Sequence, residues 1–124
     1  MREAVEALWA GAIGEIKECH VWTNRPVWPQ APGVTKRLPE QPVPDHVDWN
    51  SFIGPAEMRP YNSGYHPFKW RGWWDYGTGA MGDMACHTAN LAYMGCKLTQ
   101  PNWVEPINVG PVNPETFPAW AVVK

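Results

Sequence analysis

Charge is scarce in this sequence. Asp, Glu, Lys and Arg make up 18% of the residues, the net charge is −2, and no lysine/arginine run occurs. A protein that grips nucleic acid does so by neutralising phosphates with a basic patch, so a nucleic-acid partner is not expected. Long apolar runs are also missing. Nothing approaches the ~18–20 residues of a membrane span, so no membrane partner is expected either. No charged stretch followed by an apolar one opens the chain, so no signal peptide is expected, and the cytoplasm is the favoured compartment. Cysteine is sparse: Cys19, Cys86 and Cys96 are odd in number and lack CxxC spacing. They read as three buried, reduced thiols with no basic neighbour to activate a thiolate. No internal repeat is evident.

Tryptophan and proline are abundant, with nine of one and 14 of the other in 124 residues. Large aromatics at that density argue against disorder. The prolines argue for long, rigid loops in place of many regular elements. The length suits one domain at most.

Regular structure is expected in a few places. Arg2 to Ala10 carries apolar residues at helical spacing, with Gly11 as a stop. Ile16 to Thr23 alternates and is rich in strand formers. Arg25 to Val47 holds six prolines and reads as a long ordered loop. Asp48 to Ile53 reads as a short helix capped by Asp48 and closed at Gly54. Arg59 to Gly72 is a second aromatic loop. A single helix is expected from Gly79 to about Leu98, with Pro101 beyond it. Trp103 to Val109 and Phe117 to Val123 read as strands, the first at an edge because of Pro106.

The segment from Gly77 to His87, GTGAMGDMACH, carries the chemistry. Residues four apart on a helix share a face, so Asp83 and His87 would stand side by side. Oxidising a secondary alcohol requires removal of the hydroxyl proton as hydride leaves carbon. Histidine suits that task because its charge changes near neutral pH, and an adjacent carboxylate orients it. The plainer alternative is that Asp83 caps the helix and His87 is an ordinary core histidine. Asp83, Cys86, His87 and His66 are suitable ligand types for zinc, but no ligand spacing supports it, so no metal is expected. Tyr65, His66, Lys69, Trp70 and Arg71 combine aromatic faces with charged donors, as contacts to a polyol or sugar would. A rigid loop packed on the sheet, or a subunit contact, explains them equally well.

Several ordered blocks resemble the Gfo/Idh/MocA oxidoreductase family, the group of glucose-fructose oxidoreductase, inositol dehydrogenase and MocA. They are GAIGEIKECHVWTNRPVWPQ, VDWNSFIGPA, RPYNSGYHPFKWRGWWDYGTGAMGDMACHTANL and NPETFPAW. The resemblance implies an α+β fold: part of the family's C-terminal substrate domain, an open, mostly antiparallel sheet with helices on one face. Gly77, Gly79, Asp83 and His87 match the family's glycine-rich motif, which makes Asp83 and His87 the catalytic pair. Gly77-Thr78-Gly79 departs from the commoner triple glycine, which is expected to alter only the turn. The resemblance also implies NAD or NADP in the intact protein, bound by a Rossmann domain. The GxGxxG fingerprint of that domain and a Glu-Lys-Pro segment bearing the family's catalytic lysine do not occur here. No cofactor binding, and no activity, is therefore expected of this stretch alone. A sugar, polyol or related hydroxy compound is the implied substrate, and a homodimer or higher homo-oligomer the implied assembly. The alternative reading is a non-catalytic binding or oligomerisation module.

Overall fold

The computed structural model describes residues 1–26 and 33–124. The middle of the first proline-rich loop, 27–32, lies outside the described residues. Among the described residues, four short α-helices precede a two-stranded sheet. They are α1 (Arg2–Trp9), α2 (Trp49–Ile53), α3 (Gly79–Thr88) and α4 (Asn90–Gly95), with a 3-10 turn at Lys69–Gly72. The strands β1 (Pro106–Val109) and β2 (Ala121–Val123) pair antiparallel, with a register irregularity between Pro106 and Asn108. This is an α+β arrangement with an open antiparallel sheet.

Local signals explain the ends of these elements. Asp48 caps α2 by accepting from the Ser51 amide at 3.0 Å and the Ser51 hydroxyl at 2.7 Å. Those two bonds to the ionised form hold its carboxyl below the usual value. Gly54 closes the helix with φ +57°, a conformation that glycine adopts without penalty. Pro106, which has no N–H to donate, begins β1 as its first residue.

Two expectations need correction. Ile16 to Thr23 forms no strand. Alternation prepares a strand, but a strand exists only when its backbone groups find a partner. The single helix expected from Gly79 to Leu98 is broken at Ala89 and ends at Gly95. At the break the Thr88 hydroxyl donates to the Met84 carbonyl at 3.1 Å, and such back-bonding bends helices. The end is a Schellman motif. Leu98 N–H bonds Tyr93 C=O, Lys97 N–H bonds Met94 C=O, and Lys97 has φ +54°.

Loops and the short helix α2 supply the core. Trp49, Ile53, Tyr61, Tyr65 and Trp73 are buried together, with Val34, Leu38, Val47, Phe52, Ala56 and Tyr76 packed around them. The tryptophans also fasten the chain by their indole N–H groups. Trp49 donates to Arg59 C=O at 2.7 Å, Trp73 to Gly64 C=O at 3.0 Å, and Trp74 to Asn113 C=O at 3.1 Å. Trp9 donates to Gly95 C=O at 3.1 Å and so ties α1 to α4. Loop carbonyls that no helix or sheet satisfies are thereby paired. This is how a chain rich in proline and poor in regular structure holds one shape.

Candidate functional site

The path to Asp83 and His87 starts at Trp73. Its carbonyl accepts from both Tyr76 N–H and Gly77 N–H, which turns the chain sharply towards α3. Gly77 is required by contact: a Cβ there would lie 2.3 Å from the Arg71 carbonyl oxygen. Gly79 is required twice over, with φ +63° and a Cβ that would meet the Phe117 ring at 2.6 Å. The glycines of the motif therefore serve close packing of the turn. Gly77→Ala is expected to cost about 1–3 kcal/mol, because the clash is with backbone that cannot rotate away. A lower urea midpoint at unchanged slope would register this. Wild-type stability would mean that the turn yields easily.

α3 places Asp83 in its middle and His87 in its last turn. Asp83 is half-buried and paired. Arg71 Nε donates to Asp83 Oδ1 at 3.2 Å, and Arg71 Nη1 donates to Phe68 C=O at 3.0 Å. The same guanidinium lies 4.3 Å from the Phe68 ring centre and 4.5 Å from that of Trp70. Two rings, a carbonyl and a carboxylate thus lock Arg71, and Arg71 in turn anchors Asp83. Asp83 lies beyond the first turn and is not the helix cap, a position held by Thr78. His87 is exposed and is no core histidine.

The residues expected to touch substrate are dispersed. Tyr65 is 1% exposed, and its hydroxyl accepts from the Leu38 amide at 3.3 Å. It is part of the core. His66 stands edge-on to Phe52, ring centres 5.0 Å apart. Lys69 is exposed on the 3-10 turn. Trp70 alone of the five lines a cleft of about 320 Å³, with Phe52, Ile53, Pro55, Ala56, Asp75 and Tyr76. Neither Asp83 nor His87 lines it. The three cysteines are free, as expected. They are not all buried, however, because Cys86 lies on the exposed face of α3 and Cys19 in an exposed segment. Among the described residues no group of three or more His, Cys, Asp or Glu is placed to hold a metal. Among the described residues no helix is long and apolar enough to cross a membrane.

An ion cluster beside the cleft was not legible in the sequence. Asp75 Oδ2 lies 2.7 Å from Arg37 Nη2 and 2.7 Å from Arg59 Nε, and Arg37 Nε lies 2.7 Å from Glu115 Oε2. Arg37 Nε, Arg59 Nε, Asp75 Oδ2 and Glu115 Oε2 are all buried, so each charge is offset by a partner of opposite sign and not by water. Burial pulls the Arg37 pKa down, but the hydrogen bond and charge of Asp75, with Glu115 and Tyr65, outweigh it and raise the net value. Burial, followed by the charge of Asp75, raises the Tyr76 hydroxyl above its ordinary value. The block Asp75-Tyr76-Gly77 was the only signal, since the partners of Asp75 come from distant parts of the chain.

Residues 22–121 match the family described as "Oxidoreductase family, C-terminal alpha/beta domain" of the Gfo/Idh/MocA group. The chain belongs to that family. No curated protein matches it. This member of the Gfo/Idh/MocA C-terminal domain family thus carries the motif glycines in a close-packed turn, with the Asp and His that follow them on one short helix.

Proposed function

We propose that this chain is the substrate-side domain of a nicotinamide-dependent oxidoreductase acting on a sugar, polyol or related hydroxy compound. The observation that carries the reading is α3 itself. It bears Asp83, anchored by Arg71, and an exposed His87 one turn further on. In this reading the His87 imidazole accepts the proton of the substrate hydroxyl as the C–H bond breaks. Asp83 supports the imidazolium that results. Arg71 keeps the carboxylate in place.

NAD or NADP supplies the hydride acceptor in such enzymes. The residues present here do not fit that group. Pyrophosphate needs open glycine backbone at a helix N-terminus, whereas Gly77 and Gly79 are packed against Arg71 and Phe117. A separate dinucleotide-binding domain is the expected source. A homo-oligomer belongs to the same reading and draws support from exposed Trp103, Val104, Ile107 and Val122 in and beside the strands.

Titration of the 124-residue chain with NAD(H) and NADP(H) by calorimetry tests this division of labour. No specific binding and no turnover are expected. Specific micromolar binding by the chain alone would place the cofactor site here and overturn the proposal.

A further inference from the structure

A carboxylate that serves His87 has to hold one pose, and α3 alone does not impose it. Asp83 is only half-buried, and an aspartate with room around it samples several staggered rotamers. Resting on the reading of Asp83 and His87 as the reacting pair, we propose that Arg71 is the positioning residue for Asp83. Phe68 and Trp70 act through it, and only a guanidinium fills the role.

Three observations support this assignment. The first is the cage. Arg71 Nε donates to Asp83 Oδ1 at 3.2 Å, while Nη1 donates to Phe68 C=O at 3.0 Å. Two bonds from different nitrogens fix the plane of the guanidinium. The Phe68 and Trp70 rings, with centres 4.3 Å and 4.5 Å away, fix where that plane lies. A lysine has one charged nitrogen and no planar face, so it cannot meet all four partners in this arrangement.

The second is strength. A single long bond between side chains that are 25% and 32% exposed adds little to stability. Asp75 makes the contrast, with two guanidiniums each at 2.7 Å. That cluster is a clamp between distant loops. Arg71 has the weaker contact to its carboxylate and the more elaborate support, which suits placement and not clamping. The third is the backbone. The Arg71 carbonyl oxygen is the atom that a Cβ on Gly77 would strike at 2.3 Å, and the 3-10 turn that carries Arg71 packs on α3. Arg71 and Asp83 are thus held to the same close-packed turn.

The test is NMR on the 124-residue chain, with the χ1 populations of Asp83 read from three-bond couplings to its carboxyl carbon. In the wild type one rotamer should hold roughly 80% or more of the population. The Arg71 Nε–H should exchange with solvent at least about tenfold more slowly than that of the exposed Arg2. Arg71→Ala, in a chain that keeps its spectral dispersion, should average the rotamers. Guanidinium chloride, kept well below denaturing concentrations, should restore the single rotamer, and methylammonium chloride should not. Arg71→Lys should behave as Arg71→Ala does, and Trp70→Leu should loosen Asp83 although Arg71 is present. A fixed Asp83 in Arg71→Lys or Trp70→Leu, rescue by both cations, or rescue by neither overturns the proposal. So does an averaged Asp83 or an unprotected Arg71 Nε–H in the wild type, two readings that need no variant to fold. Because the readout is geometry and not turnover, its failure leaves the kinetic test of His87 standing, and failure of that kinetic test leaves the geometry intact.

Discussion

Replacing His87 with alanine in the whole oxidoreductase is expected to lower kcat by on the order of 10²–10⁴, the range for a lost general base. Stability should hardly change. His87 is exposed on the last turn of α3, and surface substitutions of that kind usually fall within about 0.5 kcal/mol. A purely structural role predicts the opposite pattern, with stability lost and kcat kept. Asp83→Asn separates the pair further. The amide keeps the size of the carboxylate but loses the charge that would stabilise an imidazolium and that meets Arg71 Nε at 3.2 Å. It should therefore lower kcat as well, with a modest loss of stability from a half-exposed ion pair. Wild-type turnover by both variants on the true substrate would end the assignment.

The same chain shows which features a sequence carries on its face. Helix ends set by one or two residues were legible: Asp48 and Gly54 bound α2 as expected, and α1 runs from Arg2 to Trp9. The strands before and after Pro111 were legible in position but were expected too long. Propensity extends over Trp103–Val109 and Phe117–Val123, whereas pairing covers only Pro106–Val109 and Ala121–Val123. Ile16 to Thr23 failed for the same reason, because alternation cannot supply a partner strand. The motif glycines were legible as a turn, and their close packing became visible only with Arg71 and Phe117 in place. The surroundings of each aromatic-loop residue were the least legible. Tyr65 and Trp70 lie in one aromatic loop, yet one is sealed in the core and the other lines the cleft. Nothing local separates them. The ion cluster needed Arg37, Arg59, Asp75 and Glu115 from four separate parts of the chain, and no spacing rule connects such residues.

Trp73→Ala is expected to remove most of the stability of the domain. Trp73 has 0% exposure, and truncating a buried tryptophan costs about 3–5 kcal/mol through lost transfer energy and the cavity left behind. Two further losses add to that figure. The indole N–H donates to Gly64 C=O at 3.0 Å, and an abandoned acceptor in a part-buried site costs on the order of 1–3 kcal/mol. The ring also packs edge-on against Tyr65, centres 4.6 Å apart, and such pairs contribute about 0.5–1.5 kcal/mol beyond their area. Domains of this size have only about 5–15 kcal/mol in total. The alanine variant should therefore be largely unfolded, or unfold at a small fraction of the wild-type urea concentration. Trp73→Phe divides the effect, because it keeps an aromatic body against Tyr65 but leaves Gly64 C=O unpaired, so an intermediate midpoint is expected. Trp22→Ala is the control, since Trp22 is 80% exposed and should lose almost nothing. Comparable midpoints for the Trp73 and Trp22 variants would mean that the tryptophans do not fasten the loops, and that the core lies elsewhere than around Trp49, Tyr65 and Trp73.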